Sequence, residues 1–223
     1  MSLLALNRWT YPPGMQRVPS VLANCYDSRT EPKIHHVIPD EVTGGREATD
    51  HLLQHGHRDI ALLAGAEEDP AAPLRVQGYR EAFARAGANV TEGWIKHAGW
   101  DINDGFNWTM RLLDGVDPAN RPTAIMCAND RLAIGVALAA ARLGLSIPGD
   151  LSIMGYDDEH RIAGTMVPAL TTMALPLREI GSAAMTSLLD SVEGVKGTTA
   201  GASLETMVPC RLVLRESTGP APR

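Results

Sequence analysis

Five residues near the ends of predicted strands carry side chains suited to a small, hydroxyl-rich molecule. They are Asn24, Arg75, Trp100, Asn129 and Asp157. An arginine fork or an aspartate carboxylate can each bind two adjacent hydroxyls, and an asparagine amide both donates and accepts. A tryptophan face packs on the apolar face of a ring. Together they predict a concave binding site for a small polyhydroxylated ligand.

Each of these residues also has an ordinary structural interpretation. Asn129 could cap a helix, Asp157 could form a turn with Asp158, and Trp100 could anchor a core. The functional interpretation therefore depends on the fold bringing the side chains together.

Strands alternate with helices along the chain, which predicts an α/β fold with parallel sheets flanked by helices. The predicted strands are 18–24, 35–38, 59–65, 94–97, 123–129, 151–157, 169–175, 203–207 and 210–214. The predicted helices are 42–55, one that carries Tyr79 and ends at Gly87, 103–114, one from Leu132 to Gly144, and one from Leu177 to Leu188. Ligands bind beyond the carboxyl ends of strands in such sheets, where most of the five residues would lie. Residues 194–203 read as a surface loop.

Catalytic and metal-binding patterns are absent from the sequence. There is no GxSxG, P-loop, GxGxxG or HExxH, so we expect neither an enzyme nor a cofactor. His51 and His55 have the i, i+4 spacing of metal ligands, yet no carboxylate or cysteine accompanies them at a known spacing. We therefore expect no metal site, and interpret these side chains and His57 as the end of a helix and its turn.

Composition narrows the class of protein further. The 223 residues are 44% hydrophobic and 21% charged, which is typical of a globular chain of one to two domains. The formal net charge of −6 makes direct contact with a DNA backbone unfavourable. No apolar run is long enough for a membrane helix, and three scattered cysteines favour the cytoplasm.

Several strings resemble the lactose-repressor (LacI) family of bacterial transcription regulators, and they occur in the family's order from about residue 18 to 217. They are GGREATDHLLQHGHRDIALLAG (44–65), LRVQGYREAFARAG (74–87), RPTAIMCANDRLAIG (121–135), LSIMGYDDE (151–159) and PALTTMALPLREIGSAAMTSLL (168–189).

The resemblance implies an effector-binding core of two periplasmic-binding-protein-like lobes joined by three crossover strands. Arg75 looks like the family's effector-binding arginine, Trp100 like its stacking aromatic, and Asn129 and Asp157 like its polar ligands. Asn24 stands where sugar-responsive members often have an aspartate. A ligand between the lobes would control the operator affinity of a repressor.

The resemblance also implies a domain division. Residues 1–38 and 172–206 would form a partial N-terminal lobe, and 39–171 and 207–217 the C-terminal lobe, followed by a disordered tail over 218–223. The family's helix-turn-helix would lie outside this chain, so we expect no specific DNA binding by this fragment. An incomplete lobe would expose apolar faces, so we expect poor order near the start or support from a partner subunit.

We expect a homodimer, with a tentative interface at Leu132, Ala133 and Val136 on an apolar helix. The alternative for this helix is an ordinary core element. The alternative for the whole protein is a periplasmic sugar- or solute-binding protein, which shares the two-lobed fold. A sugar, sugar acid, sugar phosphate or purine ligand all remain compatible with the sequence.

Overall fold

The computed structural model describes residues 7–10, 18–27, 34–193 and 205–222. The strands are β1 (Asn7–Trp9), β2 (Val21–Ala23), β3 (Cys25–Asp27), β4 (His35–Asp40), β5 (Ile60–Gly65), β6 (Ile95–His97), β7 (Ala124–Cys127), β8 (Ser152–Asp157), β9 (Thr171–Ala174), β10 (Glu205–Pro209) and β11 (Arg211–Val213). The helices are α1 (Glu41–Gln54), α2 (Ala71–Arg85), α3 (Ile102–Leu113), α4 (Asp130–Arg142) and α5 (Leu177–Val192). The α/β class with parallel sheets is confirmed.

The chain divides into two compact units. The smaller unit comprises Met1–Asp40 and Pro176–Cys210, and the larger one Glu41–Leu175 and Arg211–Arg223. The chain therefore passes between units three times. These divisions differ by two to four residues from the expected ones, and all of β9 belongs to the larger unit. The apolar pattern of a strand continues across the point where the chain passes from one unit to the other, so the sequence alone does not locate the boundary between the units.

A six-stranded sheet, ordered β11-β9-β8-β7-β5-β6, forms the centre of the larger unit. All neighbours are parallel except β11, which runs antiparallel to β9. Alternate residues of the strands face opposite sides. Leu63, Ile125 and Ile153 pack with Leu132 and Val136 of α4 in one apolar cluster. The fully buried Tyr79 of α2 donates its hydroxyl to Ile60 O at 2.7 Å.

Two helix pairs pack closely through glycines. A Cβ on Gly78 of α2 would lie 2.1 Å from Val42 O of α1, and one on Gly135 of α4 would lie 2.1 Å from Ile102 O of α3. Such distances exclude any side chain, so these glycines set how closely the helices of each pair approach.

The smaller unit contains a parallel three-stranded sheet, ordered β10-β4-β2, and a parallel pair, β1 and β3. Among the described residues its apolar cluster is small, with Val37, Ile180 and Ala184 buried. Its predicted loop, 194–203, and most of the first twenty residues lie outside the described residues.

The predicted disordered tail is wrong for the residues that the structure describes. Ser217 is buried and donates to Ile153 O at 2.6 Å, and Gly219 N donates to Ser152 Oγ at 3.1 Å. Ala221 N donates to His55 O at 2.9 Å. Residues 215–222, which we call the C-terminal segment, therefore form part of the larger unit.

Candidate functional site

Four of the five predicted site residues lie in the larger unit and are connected to one another. Nη2 of Arg75 lies 3.8 Å from Oδ1 of Asp157, and Nδ2 of Asn129 donates to Trp100 O at 3.0 Å. Arg75 also donates to the carbonyl oxygen of Ala128, the residue before Asn129. The carboxyl ends of β7 and β8 thus bring Asn129 and Asp157 to one edge of the sheet, as the parallel topology requires, and Arg75 reaches the same edge from α2.

The fifth residue, Asn24, lies in the smaller unit directly after β2. Its φ of 54° is left-handed, and its backbone N–H donates to Val37 O at 2.9 Å. Asparagine tolerates this conformation better than most side chains. The local geometry therefore gives Asn24 a turn-forming role between β2 and β3.

Arg75 is buried, with 3% of its surface exposed, and it is held chiefly by Glu41. Its Nε and Nη2 donate to the two carboxylate oxygens of Glu41, each at 2.8 Å. Its Cζ lies 3.7 Å from the centre of the Tyr156 ring. Burial works to lower the pKa of Arg75, but the charge and hydrogen bonds of Glu41 outweigh it and raise the pKa above its ordinary value. Arg75 is therefore a fixed cation.

Glu41 and Ala128 do not use all of the N–H donors of Arg75. An arginine has five N–H donors. Three of them bind Glu41 and Ala128, so one N–H remains on each terminal nitrogen. These two N–H groups and the guanidinium face are what Arg75 can offer to a further partner.

Asp157 ends β8 in an unusual conformation, with φ of 105°, and Asp158 follows with φ of 54°. Within the part of the chain that the structure describes, Oδ1 of Asp157 is buried without a hydrogen-bond partner. Burial raises the pKa of Asp157 well above its ordinary value; Arg75 opposes the rise, and the carboxylates of Asp130, Glu41 and Glu159 add to it. A buried acceptor of this kind is costly unless a donor reaches it.

Asn129 is the N-cap of α4, which confirms its structural interpretation. Its Oδ1 accepts from Leu132 N at 2.7 Å, while Nδ2 binds Trp100 O. One N–H and one lone pair of the amide remain for another partner. The cap fixes the amide plane at the edge of the sheet.

Trp100 is half-buried against the end of β5. Its indole N–H donates to Asp69 Oδ2. A Cβ on Gly65 would lie 2.5 Å from Trp100 Cη2, so only glycine allows the ring this position. Gly65 also has a left-handed φ of 76°. The indole is thus oriented by Asp69 on its edge and by Gly65 beneath it.

Sequence reasoning missed Glu41, Asp69 and Asp130. Glu41 begins α1, where an acidic residue ordinarily stabilises the helix dipole. Asp69 follows two other acidic residues, a pattern typical of a solvated loop, and Asp130 stands beside Asn129 where either residue can cap a helix. A buried arginine requires a buried anion. This requirement predicts a carboxylate partner for Arg75, but it does not identify the residue.

The tentative interface at Leu132, Ala133 and Val136 is wrong. All three are 0% exposed and pack inside the apolar cluster of the larger unit. They belong to the core-helix alternative. An apolar stripe on a helix has the same pattern whether it faces its own sheet or another subunit.

The histidines lie at the end of α1, beside the C-terminal segment. His57 Nδ1 lies 2.8 Å from Thr123 Oγ1 and its Nε2 3.0 Å from Gly219 O, while His51 Nε2 lies 2.9 Å from Thr218 Oγ1. In the described ranges, no group of three or more His, Cys, Asp or Glu side chains is placed to hold a metal ion. Nor is any helix there long and apolar enough to cross a membrane.

The fold and this edge of the sheet define a class of ligand-binding domain. A family model for the periplasmic binding protein-like domain matches residues 49–218. Among curated relatives, the repressor CytR of Escherichia coli K12 is 36% identical over 204 residues, covering 92% of this chain and 57% of CytR. The ribose operon repressor of the same organism is 35% identical over 194 residues, covering 85% and 58%.

Solved structures agree. A LacI-family regulatory protein from Chloroflexus aggregans matches with a TM-score of 0.80 at 33% identity, covering 92% of this chain and 70% of that one. A LacI-family regulator from Enterococcus faecium with bound ribose has a TM-score of 0.72 at 28% identity, covering 91% and 71%. A dimeric Lac repressor has a TM-score of 0.77 at 29% identity, covering 93% and 71%. The chain belongs to the LacI family of transcriptional regulators, and it spans a little over half the length of CytR and the ribose operon repressor.

Proposed function

We propose that the larger unit binds a small polyhydroxylated effector, such as a sugar, at the edge formed by Arg75, Trp100, Asn129 and Asp157. The observation that carries this proposal is the buried Oδ1 of Asp157, which has no hydrogen-bond partner among the described residues. A ligand hydroxyl would supply the missing donor. The two spare N–H groups of Arg75 would bind an adjacent hydroxyl oxygen, since the guanidinium lies 3.8 Å from this carboxylate.

The other residues have complementary roles. The Trp100 ring, fixed by Asp69, would pack on the apolar face of a sugar ring, and the spare N–H of Asn129 would bind a further oxygen. For Asn24, a proposed contact rests on the family resemblance alone.

Calorimetry with D-ribose, cellobiose and inorganic phosphate tests the site, because relatives are described with these ligands or named for ribose. We expect one of the sugars to bind, and Asp157→Asn to weaken that binding by about tenfold or more, the loss expected for a hydrogen bond to a charged group. Asparagine tolerates the left-handed backbone, so the variant keeps the turn. Asp150→Asn, which alters an exposed carboxylate bound to Ser146, is the matched control.

Two results would contradict this proposal. One is the absence of heat and of any thermal stabilisation with both sugars. The other is a sugar affinity that Asp157→Asn leaves unchanged. Phosphate binding without sugar binding would indicate that Arg75 binds an anion, and it would contradict the proposal of a polyhydroxylated ligand.

The proposed consequence of binding is regulation of transcription by a cytoplasmic, non-enzymatic repressor. An effector changes DNA affinity only if it binds two states of the protein differently. This chain carries a net charge of −6, so we propose that it does not itself grip operator DNA. A gel shift at nanomolar concentration of this chain would refute that. CytR and the ribose operon repressor are repressors, which does not favour the solute-binding alternative.

We further propose that two copies associate through exposed apolar residues of α3 and α4. Ile102 is 38% exposed and Leu138 is 52% exposed. Leu138 lies one turn beyond Gly135, which contacts the carbonyl of Ile102, so both side chains belong to one packed helix pair. Exposed apolar surface of this kind marks interaction sites.

Sedimentation of the chain and of Leu138→Asp tests this association. We expect the wild-type chain to dimerise and Leu138→Asp to sediment as a monomer. Met185→Asp, at a residue 55% exposed on α5 of the smaller unit, should leave the dimer intact. A monomeric wild-type chain at high concentration would contradict the proposal.

A further inference from the structure

The turn that carries Asp157 is strained. Asp157 and Asp158 both have positive φ, in a region where L-residues other than glycine are uncommon. Such a conformation persists only where surrounding contacts hold it. The contacts of residues 157–159, which we call the effector turn, therefore decide where the Asp157 carboxylate points.

Asp130, the first residue of α4, holds one side of the effector turn. It is 0% exposed, and its Oδ2 accepts a hydrogen bond from Glu159 N at 2.6 Å. Its Oδ1 accepts from Thr172 Oγ1 of β9 at 2.7 Å. One carboxylate thus joins α4, the effector turn and β9.

Arg215, in the C-terminal segment, holds the other side. Its Nη2 donates to Asp158 Oδ1 at 2.7 Å, and its Nη1 donates to Leu170 O at 2.8 Å. Its backbone N–H donates to Thr171 Oγ1 at 3.0 Å. The two anchors of the turn are therefore fastened to consecutive residues around the start of β9, Arg215 to Leu170 and Thr171 and Asp130 to Thr172.

We propose that Asp130 and Arg215 are positioning residues that hold the strained effector turn so that the Asp157 carboxylate faces the ligand. This inference rests on the proposed effector site, and it adds the C-terminal segment to the structure of that site. Asp130 acts through the backbone of Glu159, and Arg215 acts through the side chain of Asp158.

Asp130 also gives the turn a dependence on pH. Burial raises the pKa of Asp130 to about 6, although its hydrogen bonds with Thr172 and Glu159 oppose the rise. Protonation removes the negative charge that strengthens the hydrogen bond from Glu159 N–H, so we expect this bond to weaken below about pH 6. The charged or titratable groups around Asp130 are Asp157, Asp158 and Glu159 of β8 and the effector turn, Cys127 of β7, and Arg131 of α4.

Amide hydrogen exchange of the 223-residue chain, followed by mass spectrometry of peptides that cover 156–161, tests the inference. Asp130→Ala removes the acceptor of the Glu159 N–H, so this amide should exchange roughly tenfold faster, the factor for losing one bond to a charged acceptor. Thr172→Val is the matched control, because it removes the other donor to Asp130 and leaves the bond with Glu159. Arg215→Met, at a partly exposed side chain, should also accelerate exchange and does not depend on the buried position.

The pH profile separates positioning from a general loss of stability. Protection of the turn, corrected for intrinsic exchange, should fall below about pH 6 in the wild-type chain and should fall less in Asp130→Asn, where Asp157 still titrates. Unchanged exchange in both Asp130→Ala and Arg215→Met, or equal acceleration in Thr172→Val, would overturn the inference. D-ribose affinity of the wild-type chain separately tests the proposed function, since exchange of the turn is measured without ligand.

Discussion

Arg75 combines a structural role with the binding role that we propose for it in one side chain. Its bond to Glu41 is buried on both sides, with 3% and 1% of the two side chains exposed. Glu41 therefore both neutralises Arg75 in the interior and fixes its plane. A ligand would meet a guanidinium already held in place, which reduces the conformational entropy that binding must remove.

Removing Arg75 should destabilise the fold even without ligand. Arg75→Met leaves Glu41 as an unpaired buried charge, and we expect a loss of about 3–5 kcal/mol in the free energy of unfolding. Urea denaturation measures this. Arg75→Met with Glu41→Gln should recover part of the loss. Arg80→Met, which breaks an exposed pair with Glu92, should change stability by no more than about 1 kcal/mol.

The residue types of the site were predictable, whereas their partners were not. Arg75 and Asp157 were predicted because both lie near strand ends, and a parallel sheet brings such ends together. Glu41 and Asp69 were missed because their bonds depend on α1 packing against α2 and on a loop folding over Trp100. No local pattern in the sequence predicts contacts of that kind.

At the scale of elements, the two close helix pairs depend on glycine. Gly78→Ala and Gly135→Ala each place a Cβ 2.1 Å from a carbonyl oxygen of the neighbouring helix. We expect each to lower the free energy of unfolding by about 1–3 kcal/mol, the usual cost of overpacking. Thermal and urea unfolding measure the effect.

Gly181→Ala is the control for both variants. Gly181 lies in α5 with open space around its Cα, so alanine should raise helix stability by about 0.5–1 kcal/mol. Destabilisation by all three substitutions would show that helix packing is not the cause.

Stability depends on pH through His51, which contacts Thr218 of the C-terminal segment. Burial and the nearby His55 and His57 lower the pKa of His51 to about 4 from its ordinary value of 6.5. Between these values the unfolded chain binds a proton that the native chain does not, so stability rises as pH increases from about 4 to 6.5. We expect a contribution on the order of 1–2 kcal/mol after solvent screening.

His51→Gln should remove this contribution. Urea midpoints measured at pH 4.5 and pH 7 should differ less for the variant than for the wild-type chain. Glutamine keeps a hydrogen-bonding group near Thr218 but does not titrate, so an unchanged pH difference would exclude His51.

The elements were predicted well where the hydrophobic pattern is strong. The strands of the central sheet and helices α1, α3 and α4 lie within about two residues of their predicted ends, whereas α5 runs four residues past its predicted end at Leu188; Gly87 and Gly144 do follow α2 and α4. The prediction of a disordered tail was wrong because Thr218, Gly219 and Pro220 have the composition of a frayed end. Its partners, His57 and Ser152, lie far away in sequence, so only the folded structure reveals them.

At the scale of the whole molecule, the two units differ in how much apolar surface they bury. The larger unit has a continuous cluster around β5, β7 and β8, and within the described residues the smaller unit buries only Val37, Ile180 and Ala184 in its cluster. Burial of apolar area is the main source of stability. The smaller unit should therefore open at a lower free energy than the larger one.

Native-state hydrogen exchange in increasing urea checks this order. Peptides from α5 and β4 should lose protection at lower urea than peptides from β7 and β8. A single concentration at which all four elements lose protection would show that the two units unfold as one cooperative body.

The pairing of β4 with β10 has a consequence for how the chain is made. His36 pairs with Glu205 and Ile38 with Met207, so the sheet of the smaller unit joins residues roughly 170 positions apart. A ribosome releases the chain from its N-terminal end onward, and contacts between distant residues form slowly. Until β10 leaves the ribosome, β4 can pair only with β2, so its other edge stays open and depends on whatever shields an unpaired strand edge from other nascent chains.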